Sequence, residues 1–145
     1  MMSDKLNIQC YFEDLASKQE TYECIAQQVS PSLKIQKMLI EQLEKRATIG
    51  NMQIAEHVLL PHIENAVVTE SRVLFVRLNE PIEQWDDQTR DIQLLIVILL
   101  KANETLEKKQ ALAAFTRTLA DEAYLEHLLT VDQETFQEIV LNSHH

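Results

Sequence analysis

The first residues in this 145-residue chain that could carry chemistry are its five histidines. His144 and His145 close the chain as a tag-like pair and are set aside. His127 lies in a stretch rich in Leu and Glu and reads as a structural residue of a helix. His57 and His62 flank the apolar run Val58-Leu59-Leu60-Pro61. Their spacing of five residues suits no common metal motif, and Cys10 and Cys24 add no Cys-x-x-Cys or Cys/His pattern, so no metal is expected. His62 is the informative member, because it directly follows an apolar strand that ends in proline. A side chain at the end of a sheet strand is rigidly held yet reaches solvent, the usual place for reactive groups in α/β folds. Alone, Pro-His after a strand is more often a plain surface histidine. No Gly-rich phosphate loop, serine nucleophile elbow or His-Glu-x-x-His helix is present, and Gly50 is the single glycine, so neither a nucleotide nor another cofactor is expected. The adjacent Asp86-Asp87 reads as a solvated turn. The chemistry on offer is that of one histidine nucleophile.

The elements that must position it follow from periodicity. Residues 1–14 read as an arm or weak strand, with Ile8, Cys10 and Phe12 alternating. Ser17-Lys18-Gln19-Glu20 is a capping box, in which two side chains satisfy free amides at a helix start. It opens a helix over about 18–28, which Ser30-Pro31-Ser32 stops. A second helix is expected over about 33–45, with Ile35, Met38, Leu39, Gln42 and Leu43 on or beside its apolar face, then a loop over 47–51. Val58 to Leu60 reads as a short buried strand ending at Pro61. Arg72 to Leu78 is a second strand, with Val73, Phe75 and Arg77 on one face. Glu80-Pro81 is expected to break it, leaving Ile82 to Trp85 as a short edge strand. The unbroken apolar run from Ile92 to Leu100 fits a strand covered on both faces. Helices follow over about 104–119, 121–129 and 133–141, with Asp132 capping the last. The fold class expected is α/β, one mixed sheet with helices on both faces, in a single domain spanning 1–145 with a tail at 142–145.

Bulk properties narrow the partners. With 13 basic against 23 acidic residues the net charge is −10, which argues against nucleic acid and against an anionic membrane surface. No signal peptide opens the chain, and its longest apolar run, Leu94 to Leu100, is far short of a membrane span. A cytoplasmic location with both thiols reduced is expected, and a monomer or weak dimer.

The order of segments resembles the fructose/mannitol-type enzyme IIA family of the bacterial sugar phosphotransferase system. The helix ending in Arg46, then Ile49-Gly50, then Ile54 to His62 (I-A-E-H-V-L-L-P-H) is similar to that family's active-site signature, roughly Arg-Glu-x-x-Gly-Ser-Thr, a spacer, and Ala-[Ile/Val]-Pro-His. In mannitol-type members the arginine stands sixteen residues before the histidine, as Arg46 does before His62. The resemblance runs from about Ser17 to Leu141. It implies that His62 accepts a phosphoryl group from the histidine phosphocarrier protein (HPr) and passes it to a cysteine or histidine of enzyme IIB. The attacking imidazole must be neutral, which the ordinary histidine pKa of about 6.5 permits. The group in flight is nearly metaphosphate-like, so the protein must align the partners and offset charge. Arg46 fits that role through its planar fork of donors; the alternative is a cation facing the helix C-terminal dipole.

The chain departs from the family pattern at several positions. Ala47 stands where the family has Glu, Met52 where it has Thr, and Ile63 where Gly is common. Lys108, or Glu107 on a shifted alignment, occupies the place of a second active-site histidine, where Lys108 would offer a positive charge or simply face solvent. A non-catalytic interaction or regulatory module of the same fold therefore competes with the phosphocarrier reading, as does an unrelated α/β domain.

Overall fold

The computed structural model describes residues 6–50 and 52–142. In chain order the elements are β1 (Ile8–Glu13), α1 (Lys18–Val29), α2 (Leu33–Ile49), β2 (Gln53–Ala55), β3 (Val58–Leu59), β4 (His62–Asn65), β5 (Arg72–Gln84), β6 (Arg90–Lys101), α3 (Leu106–Thr118), α4 (Glu122–Thr130) and α5 (Gln133–Asn142). The expected arm is a strand from Ile8 onward; residues 1–5 and 143–145, with the terminal histidine pair, lie outside the described residues.

The sheet runs β1-β5-β6-β3-β2, with β4 also on β6. It is mixed: β1 is parallel to β5, β5 antiparallel to β6, β3 and β4 parallel to β6, and β2 antiparallel to β3. The apolar run in β6 shows why both faces need cover. Leu95, Val97 and Leu99 bury against Leu39 and Leu43 of α2 and Tyr22 and Ile25 of α1. Leu94, Ile96 and Ile98 point the other way, into a second cluster with Leu112 and Phe115 of α3, Leu125 and Leu128 of α4, and Phe136 and Val140 of α5. The period of two assigns each residue its side, and the absence of polar breaks reflects helices on both.

Three boundaries differ from the sequence expectation. Helix α2 continues through Ala47, Thr48 and Ile49 to Gly50, because none of those residues breaks a helix. Strand β5 runs through Glu80-Pro81; its register against β6 shifts between Arg77 and Ile82, where the ladder does not need the amide that proline lacks. Ile82 then pairs with Ile92, so no separate edge strand forms. Finally, His62 does not end a strand but begins one. Both β3 and β4 lie along β6 at the same offset of 36 residues (Val58 with Leu94, His62 with Ile98). They are one line of chain interrupted at Leu60-Pro61, where the missing proline amide opens the ladder while the Pro61 carbonyl still accepts from the Ile98 amide at 2.9 Å.

The helix ends are capped as their sequences dictate. Ser17 Oγ accepts from the Glu20 amide at 3.1 Å, and Glu20 Oε1 accepts from the Ala16 amide at 2.8 Å. Ser32, Thr105, Asp121 and Asp132 accept likewise from the amides three residues on. Arg77, on β5, pins the far end of α4. Its Nη1 donates to the carbonyls of Leu128 at 3.0 Å and Val131 at 2.6 Å, and the guanidinium lies over the rings of Phe12 and Phe136. Its burial lowers its pKa, and the nearby Asp132 carboxylate partly offsets that shift.

Candidate functional site

The alternation of β4 decides where His62 faces. Ile63 is fully buried among the α1 and α2 contacts, so His62 and Glu64 project to the opposite face, the one covered by α3, α4 and α5. Ile98, the Cα partner of His62, belongs to that second cluster. His62 itself is exposed, at the start of a strand whose outer side, among the described residues, carries no further strand. Among the described residues its ring has no hydrogen-bond partner. An imidazole held at Cα by the sheet and open to solvent at its nitrogens can accept a group from another molecule without moving the backbone.

Arg46 comes from the other face, on α2, and the register of that helix against β4 can be worked out. Gln42 Nε2 donates to the Glu64 carbonyl at 3.3 Å, and Gln42 Oε1 accepts from Asn65 Nδ2 at 3.0 Å. Past the helix end, the Met52 carbonyl accepts from the Leu60 amide at 2.8 Å. The middle of α2 therefore sits beside the end of β4, its C-terminus lies toward the beginning of β4, and the two run antiparallel. From Gln42 to Arg46 is one helical turn, about 6 Å of rise. From Glu64 back to His62 is about 6.6 Å of strand. Those lengths are similar, which puts the Arg46 position on α2 near the level of His62 along β4, with the His62 side chain directed to the other face of the sheet. In this structure Arg46 Nη1 donates to the Gly50 carbonyl at 3.2 Å, the helix-capping role, and among the described residues its other donors have no partner.

Lys108 lies in the first turn of α3, half-buried, with its amide on Thr105 Oγ1 at 3.2 Å. That helix packs on the face His62 points to, but it starts from the end of β6 level with Asn65 rather than with His62. The charge of Lys108 is felt by Glu104. The Glu104 carboxyl is held below the usual carboxylate range first by the Ser71 hydroxyl (2.5 Å), then by the Thr105 amide and by Lys101 and Lys108. The three residues singled out from sequence thus divide: His62 and Arg46 share one level at the sheet edge, and Lys108 shares only the face. Gln42 and Asn65, which set that level, went unnoticed as site residues; the one signal was a glutamine beside an apolar helix stripe.

His57 is a structural residue. It sits in the left-handed region (φ 71°) at the turn between β2 and β3, its Nδ1 lies 2.7 Å from the Asp91 carbonyl, and its own carbonyl accepts from the Gln93 and Leu94 amides. His127 lies inside α4. Among the described residues no cluster of three or more His, Cys, Asp or Glu side chains is arranged to hold a metal. Both thiols are partly buried and unpaired; burial pushes Cys10 up to about 11, and burial with the Glu13 charge raises Cys24.

A mixed sheet covered by helices on both faces, with an exposed histidine at a sheet edge, is the α/β arrangement that the sequence led one to expect. The chain belongs to the family described as "Phosphoenolpyruvate-dependent sugar phosphotransferase system, EIIA 2", whose model matches residues 1–143. Among curated proteins it is similar to the PTS system 2-O-alpha-mannosyl-D-glycerate-specific EIIABC component of Escherichia coli (strain K12), with 26% identity over 118 residues. That match takes in 78% of this chain but only 18% of the relative's length. Among solved structures the fold is like that of nitrogen regulatory protein IIA-Ntr from Neisseria meningitidis, with a TM-score of 0.68 and 22% identity over 90% of this chain and 91% of that one. It is also like IIA mannitol from Escherichia coli, with a TM-score of 0.60 and 18% identity over 90% and 94% of the two chains. Those two likenesses establish the fold. Among the described residues no helix is long and apolar enough to cross a membrane.

Proposed function

We propose that the chain acts as one phosphocarrier domain in the cytoplasm, taking a phosphoryl group from phosphorylated HPr onto His62 and passing it to enzyme IIB. One P–N bond, on the donor histidine, breaks as another forms to a neutral His62 nitrogen. The second transfer reverses this toward a cysteine or histidine of the acceptor. Arg46 leaves the Gly50 carbonyl to grip the phosphoryl oxygens as their charge develops, a role in which one lost donor typically costs 10²–10³ in rate. Lys108 adds positive potential from the face that His62 points to, opposite α2. The observation that carries the reading is the exposed His62 at the start of β4; the level of Arg46 along that strand, argued from the Gln42–Glu64 hydrogen bond, supports it. Family membership over residues 1–143 supports it.

The test is labelling from phosphoenolpyruvate through enzyme I and HPr, scored as acid-labile phosphate on this chain. The wild type takes label, His62→Ala takes none, and Arg46→Ala is slowed on the order of a hundredfold. An unlabelled wild type, or a His62→Ala variant that still takes label, overturns the reading. The first of those outcomes supports the competing one, a regulatory module reached through protein contacts. That reading draws on Ala47, Met52 and Ile63, where the chain departs from the family motif.

A further inference from the structure

The contact between α2 and β4 has two components. One is apolar: Leu39 and Leu43 share the buried cluster with Ile63. Hydrophobic burial holds the helix on the sheet but is non-directional, and it tolerates a slide along the strand. The other component is a short relay of amides. The Val67 amide donates to Asn65 Oδ1 at 3.0 Å, Asn65 Nδ2 donates to Gln42 Oε1 at 3.0 Å, and Gln42 Nε2 donates to the Glu64 carbonyl at 3.3 Å. A backbone N–H can only donate and a backbone carbonyl can only accept. The two ends therefore fix the orientation of both side-chain amides, and a flip of either would set donor against donor or acceptor against acceptor. A slip of the helix by one residue would take Gln42 out of reach of Glu64.

We infer that Gln42 is a positioning residue of the phosphoryl site: it fixes the register of α2 against β4 and so holds Arg46 level with His62. The inference rests on the phosphocarrier reading and adds to it a residue that touches neither phosphate nor partner. Gln42 and Arg46 lie one turn apart on one face of α2, so the anchor acts directly beneath the arginine. The Glu64 carbonyl points outward from β6, and Gln42 reads it from the open side of the strand. Misplacing a charge-stabilising group by about 1 Å can cost up to a hundredfold in rate.

A double-mutant cycle on the full chain tests this. Gln42→Leu keeps the size of the side chain and removes both amide bonds. In otherwise wild-type protein it slows His62 labelling by phosphorylated HPr on the order of tenfold, measured where circular dichroism shows the variant folded. In the Arg46→Ala background the same change produces no further slowing, because there is no longer an arginine to misplace. A residue that only supports the fold would slow both backgrounds equally, and that additive result overturns the inference. So does an unchanged rate in Gln42→Leu. Should Gln42→Leu fail to fold, Asn65→Ala cuts the relay from the strand side and enters the same cycle with the same expected outcome. Failure of the underlying reading is a separate result: no label reaches wild-type His62, and both proposals fall. A labelled wild type with an indifferent Gln42→Leu overturns the positioning role alone.

Discussion

Arg77→Met should destabilise the protein by about 3 kcal/mol, and the structure supplies each part of that figure. The guanidinium donates to two carbonyls at the end of α4, Leu128 at 3.0 Å and Val131 at 2.6 Å. Hydrogen bonds from a charged donor contribute about 1.5–3 kcal/mol each. The same group lies 5.3 Å from the centre of the Phe12 ring and 5.0 Å from that of Phe136, contacts worth roughly 0.5–1 kcal/mol apiece. These terms share one cation and do not add, and methionine keeps the apolar stem, so the expectation sits well below their sum. Unfolding entropy near the midpoint is about 2.1 cal/mol/K per residue, or roughly 0.3 kcal/mol/K for this length. The melting temperature should therefore fall by about 10 °C. Urea unfolding of wild type, Arg77→Met and Arg77→Lys measures it. Arg77→Lys should recover less than half, since an ammonium keeps the charge but lacks the planar fork that spans two carbonyls and two rings. A loss under about 0.5 kcal/mol for Arg77→Met, the range of a neutral surface change, refutes the assignment of Arg77 as the pin between sheet and α4.

Ser71 and Glu104 give a pH-dependent counterpart. The folded carboxyl of Glu104 lies below its ordinary value, so its contribution is present above the usual glutamate range, about 4.3, and fades as pH drops through the lower folded value. Ser71→Ala removes the main cause and also strips the Lys101 amide of its acceptor at 2.9 Å. Stability at neutral pH should drop by about 1–3 kcal/mol, and the decline between pH 5 and 3 should flatten; an unchanged acid slope in urea titrations refutes the linkage. Tyr22 poses the converse case. It is fully buried, and among the described residues its hydroxyl finds no hydrogen-bond partner. Burial, with the charges of Glu44 and Asp86, raises its pKa. Tyr22→Phe should leave stability unchanged or raise it by about 1 kcal/mol, and a clear loss would refute the unpartnered state.

Local chemistry made much of this architecture readable. The capping box at Ser17, the cap at Asp132 and the two-sided apolar run of β6 are decided by neighbours in the chain, and the structure holds each of them. Where reading failed, a distant partner had decided. Pro61 and Pro81 look like full stops in sequence, yet β6 keeps the strand beyond each of them, in unbroken register at Pro61 and after a register shift at Pro81. The extra turn of α2 was missed because the loop expected around Gly50 was drawn back to Ala47, although Ala47 to Ile49 carry no stop signal and Gly50 alone supplies one. His62 was singled out because it follows an apolar run that ends in proline. Gln42 and Asn65, proposed above to set Arg46 against it, meet only after β4 folds under α2, at a separation of 23 residues that leaves no periodic trace.

The two sulfurs have a practical meaning. With Cys10 pushed up to about 11 and Cys24 raised as well, each supplies less thiolate at a given pH than an ordinary exposed cysteine, and thiolate is the form that maleimides and disulfide reagents capture. An engineered, fully exposed cysteine would take up a fluorophore ahead of both. Dyes could then be set along the sheet margin, and docking followed optically, without first deleting either native sulfur.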